Sequence, residues 1–520
     1  MIKSKPLLIA TILVTGSAIM MVELLGARII SPYFGVSLYV WTSLITVTLV
    51  ALACGYWWGG HMADKKGEAG FLFMLISMAG LFLLFLPFLK RPILLFFSHL
   101  GLRLGSLASS LSLFFIPLFL LGAVTPYLVK LCASDLGHIG QTVGHLYALS
   151  TIGSFLGTLL TGFLFIPHFR TETILLFISL PLVILSLIYW LSQPKRKLRL
   201  AWLIMLLIIA GTFILLKRFT RPQIDQVINQ SFFHLTAEEN SPYGEIKVID
   251  INQRFRAMAT DGLVQNVIDR TTGLSINEYT YALQLIARSY HPEGRSALII
   301  GLGAGIIPSE LRRDQLEIDC VEINPAVARV AEEYFGFSPQ GLNLFIQDAR
   351  YFVENCRKKY DLIFLDAFSG DGVPEHLLTL EMFQGLSRLL NPGGVLCMNF
   401  FGSLAEEHSF GVCSLAKTLR QVFTQVVSFA LMPPDLIGGN VYLLATDTHR
   451  DIDRLMAPNP GRCFYPAYGE LCNLWERKVE INTDSGLILR DNYNPIAFFD
   501  SGTREVTRKR MHETLGNLLL

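Results

Sequence analysis

Charge of a single sign is missing from this chain of 520 residues: 43 Lys and Arg face 42 Asp and Glu, the net charge is +1, and neither half carries a long basic or acidic block. That removes the electrostatic footprint expected of a nucleic-acid-binding protein. Paired cysteines are missing too. The 8 cysteines (Cys54, Cys132, Cys320, Cys356, Cys397, Cys413, Cys463 and Cys472) show no C-x-x-C or other metal spacing. No metal site is therefore expected, and the thiols read as small apolar groups in a reducing compartment. No small-residue cleavage site follows the first apolar run, so the first helix is expected to stay in the mature protein. A G-x-x-x-x-G-K-[ST] run is also lacking, which argues against a triphosphate and for a nucleoside ligand without phosphates.

Charged residues are scarce overall, at 16% against 52% hydrophobic, but the scarcity is uneven. Up to residue 217 the sequence is a series of apolar runs with charges confined to short gaps, whereas from Arg218 onward charged and apolar residues interleave. The boundary is a change of solvent. The expected domains are a transmembrane helical domain at 1–217, a linker with a small β-rich subdomain at 218–290, and a Rossmann-like nucleoside-binding domain at 291–520. A bilayer core needs roughly 20 apolar residues of helix. Runs near 7–26, 38–60, 70–90, 105–130, 142–166, 171–193 and 199–217 meet that length, giving seven spans. Pro92 to Gly101 is apolar but short, and reads as a re-entrant or interfacial piece or part of an eighth span. Lys and Arg clusters fall on both sides of any alternating arrangement, so charge does not fix the orientation. Gly55 and Gly59, and Gly153 and Gly157 with Ser150 and Ser154, are spaced for close helix contact. Glu23 is a carboxylate inside a span; it either lines a path or pairs with Arg28 or a headgroup near the interface.

In the second half, a polar stretch from Pro222 to Asn240 reads as a linker, and Glu245 to Ile249 and Phe255 to Asp261 alternate as short antiparallel strands do. A helical pattern covers Asn277 to Tyr290. The apolar strand Ser296 to Gly301 then runs into Gly301-Leu302-Gly303-Ala304-Gly305 and a helix, the order in which a nucleotide-binding turn is built. Glycines at 301, 303 and 305 let the backbone turn tightly against a ligand. The next strand, Glu317 to Ile323, ends at Glu322, about 20 residues after the glycines, where an acid accepts the ribose hydroxyls. Leu344 to Gln347 leads to Asp348, and Leu362 to Leu365 leads to Asp366. Four parallel strands thus bring polar residues to one edge, where open α/β sheets bind ligands. Asn391-Pro392-Gly393-Gly394 reads as a turn before the strand Val395 to Asn399.

Ser241 to Val248, Asp261-Gly262-Leu263-Val264-Gln265, Gly301 to Gly305, Val321 to Asn324, Gln347 to Ala349 and Tyr360 to Asp366, taken in order, resemble spermidine synthase over roughly residues 240 to 400. The first half resembles bacterial proteins in which such a domain is fused to a helical bundle, through Glu23 to Gly35, Tyr39 to Thr42 and Leu146 to Thr151. The resemblance implies transfer of an aminopropyl group from decarboxylated S-adenosylmethionine to an amine acceptor such as putrescine, without a metal. It also implies a multi-pass protein of the bacterial inner membrane, in contact with the lipid bilayer. The soluble domain is placed in the cytoplasm, where the donor is made, which for seven spans puts the N-terminus outside. By position, Gln265 contacts the nucleoside, Glu322 holds the ribose, Asp348 faces the adenine and Asp366 is the general base.

Some positions depart from the family pattern. Ala304 stands where the family has an acid for the donor amine, and Ser369 where it has a second acid for putrescine. Tyr279-Thr280-Tyr281 replaces Tyr-His-Glu. Asp371, Glu375 or Glu23 are the carboxylates available to compensate, and Tyr279, Tyr281, Ser369 and Asp371 are the candidate acceptor-site residues. Two other readings stay open: a methyltransferase using intact S-adenosylmethionine, and a nucleoside- or polyamine-binding regulator or transporter. The oligomeric state, a homo-oligomer included, is left open as well.

Overall fold

The computed structural model describes residues 5–35, 37–132, 139–193, 211, 225–228, 231–368, 370, 372–433, 435–449, 474 and 476–515. The chain divides into two compact units, Met1–Pro222 and Gln223–Leu520.

The first unit is helical: α1 (Lys5–Phe34), α2 (Leu38–Lys66), α3 (Ala69–Ser98), α4 (Gly101–Gly122), α5 (Val124–Cys132), α6 (Ile139–Leu160), a π turn at Thr161–Phe165 running into the short α7 (Ile166–His168), and α8 (Thr171–Leu191). Among the described residues six helical stretches are long and apolar enough to cross a membrane. The expected seventh span, 199–217, lies outside the described residues except for residue 211. Pro92 to Ser98 does not form a separate piece; it continues α3. Hydroxyls along the helices turn back onto their own backbone, as in Thr11 to the Leu7 carbonyl (2.7 Å) and Ser186 to that of Leu182 (3.0 Å). Such bonds satisfy a polar side chain where water is absent.

The paired small residues bring backbones together as their spacing suggested. A Cβ on Gly153 would stand 2.3 Å from the Leu13 carbonyl oxygen of α1, and one on Gly55 would stand 2.4 Å from the Phe119 carbonyl of α4. Ser154 donates to the Gly16 carbonyl at 3.0 Å. Arg28 donates from Nη1 to the Ile166 carbonyl at 2.5 Å rather than to Glu23. Lys90 of α3 and Glu172 of α8 form an ion pair.

The second unit starts with a five-stranded antiparallel sheet, β1 (Asp225–Ile228), β2 (Ser231–Ser241), β3 (Gly244–Ile251), β4 (Phe255–Thr260) and β5 (Leu263–Asp269), in sequential order. The polar stretch read as a linker is therefore mostly strand. Its alternation is hidden because β2 is only partly covered, with Phe233 on one face joining a cluster with Ile249, Ala257, Ala259 and Val267.

An eight-stranded mixed sheet follows. It is built from β6 (Ser296–Ile300), β7 (Glu317–Glu322), β8 (Asn343–Ile346), β9 (Tyr360–Leu365), β10 (Leu390–Gly402), β11 (Gln425–Ala430), β12 (Gly439–Thr446) and β13 (Lys478–Val479). The order is β13-β11-β12-β10-β9-β6-β7-β8. β8, β7, β6, β9 and β10 are mutually parallel, and β12, β11 and β13 add antiparallel at the far edge. The near-continuous apolar runs of β6, β9 and β10 reflect cover on both faces by helices. The Asn391 to Gly394 turn is absorbed into β10 as a register shift between Leu390 and Val395, with Gly393 at φ +79°.

Asp361 pins the amino ends of the central strands. Its Oδ2 accepts the backbone N–H of Arg295 (2.8 Å) and of Ser296 (3.0 Å), and its Oδ1 accepts from Asn391 Nδ2 (2.8 Å). The ligand edge lies at the opposite, carboxyl ends, where the order of the strands reverses between the parallel β6 and β9.

Candidate active site

A cavity of about 260 Å3 opens at those carboxyl ends. Its floor is the glycine turn after β6. Gly301 has φ +96°, and a Cβ there would stand 2.3 Å from the Asp366 carbonyl oxygen. Only glycine allows the ends of β6 and β9 to meet this closely. Gly303, at φ +53°, leaves room for the Asn266 side chain, whose Oδ1 lies 2.5 Å from where a Cβ would be.

Three carboxylates line the cavity along successive strand ends. Glu322, closing β7, accepts the Leu302 N–H at 3.0 Å on Oε2 and the Asn324 N–H at 2.8 Å on Oε1. Burial pushes its carboxyl up, and those backbone donors pull in the other direction. Held by backbone donors, the carboxylate still has a lone pair to offer a diol. Asp348 caps the helix Ala349–Asn355 by accepting the Tyr351 N–H at 3.0 Å, and His376 Nε2 lies 3.0 Å from its other oxygen. Asp366, just after β9, accepts from Asn399 Nδ2 at 3.0 Å. Burial pushes its carboxyl up to about 7, against the lowering effect of the Asn399 bond. A group poised there exchanges protons near neutrality.

Tyr279 stands close by. Its hydroxyl accepts from Asn266 Nδ2 at 2.6 Å, and burial, reinforced by the Asp366 charge, raises its pKa. It stays a phenol. Gln265 lines the wall and donates to the Gly370 carbonyl at 3.0 Å, tying the wall to the loop after β9.

The structure therefore gathers Gln265, Gly301, Gly303, Tyr279, Glu322, Asp348 and Asp366 around one space. Two candidates stand elsewhere. Tyr281 is 4% exposed and points into the core, donating to the Ser275 carbonyl at 2.9 Å. Gly305, at φ +73°, packs beneath Phe337 at the start of the helix Ile306–Arg313. Ser369 and Asp371 lie outside the described residues.

Three residues at the site escaped the sequence reading. Asn266 and Gln265 are neighbours, and strand alternation would send only one of them inward. A bulge reconciles them: Met258 pairs with Asn266 and Ala259 with Val264, so Gln265 is the extra residue and both side chains reach the cavity. Asn399 was visible as a lone amide in an apolar strand, Val395 to Phe401. His376 carries no sequence signal.

Carboxylates at the carboxyl ends of β7, β8 and β9, beside a glycine turn after β6, define the ligand edge of an open, Rossmann-like α/β sheet. Residues 277–455, about a third of the chain, match the Spermine/spermidine synthase domain, so this segment is similar to that family. The polyamine aminopropyltransferase of Vibrio vulnificus is 37% identical over 161 residues, covering 30% of this chain and 51% of that one. The N-terminal histidine N-methyltransferase of Emericella nidulans is 28% identical over 281 residues, half of each chain. The chain thus spans about half the length of these two relatives. Polyamine aminopropyltransferase 2 of Aquifex aeolicus is 23% identical over 418 residues, covering 78% of this chain and 81% of that one. That alignment is longer than the unit Gln223–Leu520, so the similarity extends into the helical half.

Proposed function

We propose that the protein is a membrane-bound aminopropyltransferase that moves the aminopropyl group of decarboxylated S-adenosylmethionine to an amine such as putrescine. The observation that carries this is the alignment of Asp348, Glu322 and Asp366 along one cavity, with the third poised to titrate near neutrality. Asp348 takes the adenine amine, Glu322 the ribose hydroxyls, and Gln265 holds the wall. The reacting end of the donor lies between the glycine turn and Asp366.

An ammonium has no lone pair with which to attack. Asp366 accepts a proton from the acceptor; the freed amine nitrogen then forms a bond to the aminopropyl carbon attached to sulfur. The carbon–sulfur bond breaks, its electron pair stays on sulfur, and methylthioadenosine leaves. Asn399 holds Asp366 in place. The names of the relatives, polyamine aminopropyltransferases among them, support an amine acceptor. The apolar helices support a place in the inner membrane, with the soluble unit on the cytoplasmic side where the donor is made.

Methyl transfer from intact S-adenosylmethionine is the second reading. Ala304 favours it, because no carboxylate stands in the glycine turn to repel the donor's own carboxylate. Calorimetry on detergent-solubilised protein separates the two. Tighter binding of decarboxylated S-adenosylmethionine and methylthioadenosine is expected; tighter binding of S-adenosylmethionine and adenosylhomocysteine would install the methyltransferase instead.

A further inference from the structure

We infer that Asn266 is the residue that reads the tail of the donor, supplying a neutral acceptor for its terminal ammonium. The inference rests on the aminopropyl-transfer reading and names the subsite that reading leaves unassigned. With adenine at Asp348 and ribose at Glu322, the tail runs past Gly303 toward Asp366, and the wall it passes is Asn266 and Tyr279. Asn266 is 3% exposed and locked at both ends of its amide. Its Oδ1 accepts the Ala304 N–H at 2.9 Å, and its Nδ2 donates to the Tyr279 hydroxyl at 2.6 Å. The rotamer and the direction of the amide are thereby fixed, and Oδ1 retains a second lone pair.

The glycine turn contributes no side-chain acceptor of its own: Ala304 is apolar, and Gly303 has no Cβ because Oδ1 occupies the space beside it. Among the described residues lining this end, the remaining carboxylate is Asp366, which serves the acceptor amine. A buried ammonium needs a hydrogen-bond acceptor, and Oδ1 is the fixed one next to the turn. A neutral oxygen holds a cation less tightly than a carboxylate does. The site thus reads the tail by shape and a dipole rather than by full charge.

The test uses full-length protein with Asn266→Asp and Asn266→Leu, titrated with decarboxylated S-adenosylmethionine and with methylthioadenosine, which keeps the nucleoside but has no amine. Aspartate can still accept the Ala304 N–H while adding charge. It should tighten the amine-bearing donor about tenfold and leave methylthioadenosine within about twofold. Leucine should weaken the donor about tenfold with little change in methylthioadenosine. Equal changes for both ligands, or no change for either, would overturn the inference and leave Asn266 as a strut of the glycine turn. If the wild-type protein prefers intact S-adenosylmethionine, the parent reading falls instead, a result visible before any variant is made.

Discussion

Both halves of the molecule use glycine to bring backbone close to something, but for opposite reasons. In the helical unit Gly55, Gly59, Gly153 and Gly157 lie within helices, and what a side chain would meet is another helix. In the second unit Gly301, Gly303 and Gly305 have φ of +96°, +53° and +73°, a region closed to most side chains, and what a Cβ would meet at Gly301 and Gly303 is Asp366 and Asn266, residues that line the cavity. Apolar solvent gives helices no hydrophobic reason to associate, so close packing must hold them together. In water the core already holds the sheet, and glycine is free to shape a site. Identical residues thus mark helix packing in the apolar unit and the shape of a cavity wall in the sheet unit.

The contrast predicts where substitutions act, starting with the largest effect. Asp366→Asn should lower turnover at least about a hundredfold, because the amide cannot take the acceptor's proton, while methylthioadenosine still binds; steady-state assay and calorimetry give the two numbers. In the unsubstituted protein, activity should rise as Asp366 ionises through pH about 7 and then level off. The same raised pKa means the fold binds a proton more tightly than the unfolded chain, so this group's contribution to stability falls as pH rises from about 4 to about 7. Turnover that is flat across that window would remove Asp366 from the proton's path.

Gly301→Ala comes next. Its Cβ would stand 2.3 Å from the Asp366 carbonyl oxygen in a left-handed conformation, and a loss of at least about 2 kcal/mol is expected, with nucleoside binding abolished. Gly153→Ala carries no backbone strain but pushes on the Leu13 carbonyl oxygen at 2.3 Å. A loss of about 1–3 kcal/mol should appear as a lower melting temperature in detergent, with methylthioadenosine affinity unchanged. A shift in that affinity would break the division of labour. The smallest effect belongs to Glu23→Gln. Glu23 is half-buried in α1 and makes no hydrogen bond or ion pair with another described residue. Turnover of a soluble amine should stay within about twofold, since a membrane carboxylate does not enter the transfer step. A large loss would place part of the reaction's machinery in the helices.

Much of this was legible in sequence where period and position agree. The strand–glycine–helix order, the acid about 20 residues on, and Asp348 and Asp366 at strand ends all follow from chain geometry, and the cavity forms around them. The readings that missed turn on helix phase or on pairing between distant segments. Tyr281 shares a helix with Tyr279, yet two positions along a helix is a turn of about 200°, which sends its hydroxyl into the core. Asn266 needed the bulge opposite Met258 and Ala259, and a bulge is a property of two strands rather than one. Within the 222–240 stretch, residues 231–240 belong to β2, whose partly exposed face tolerates polar residues.

Asp361 holds Arg295, Ser296 and Asn391 at the amino ends of the strands, far from every residue that touches the cavity. A sheet fastened on that side owes part of its integrity to bonds remote from the loops at the opposite ends. Those loops are free to drift, so a new acceptor could be recruited by lengthening or recolouring them while the sheet beneath is inherited unchanged.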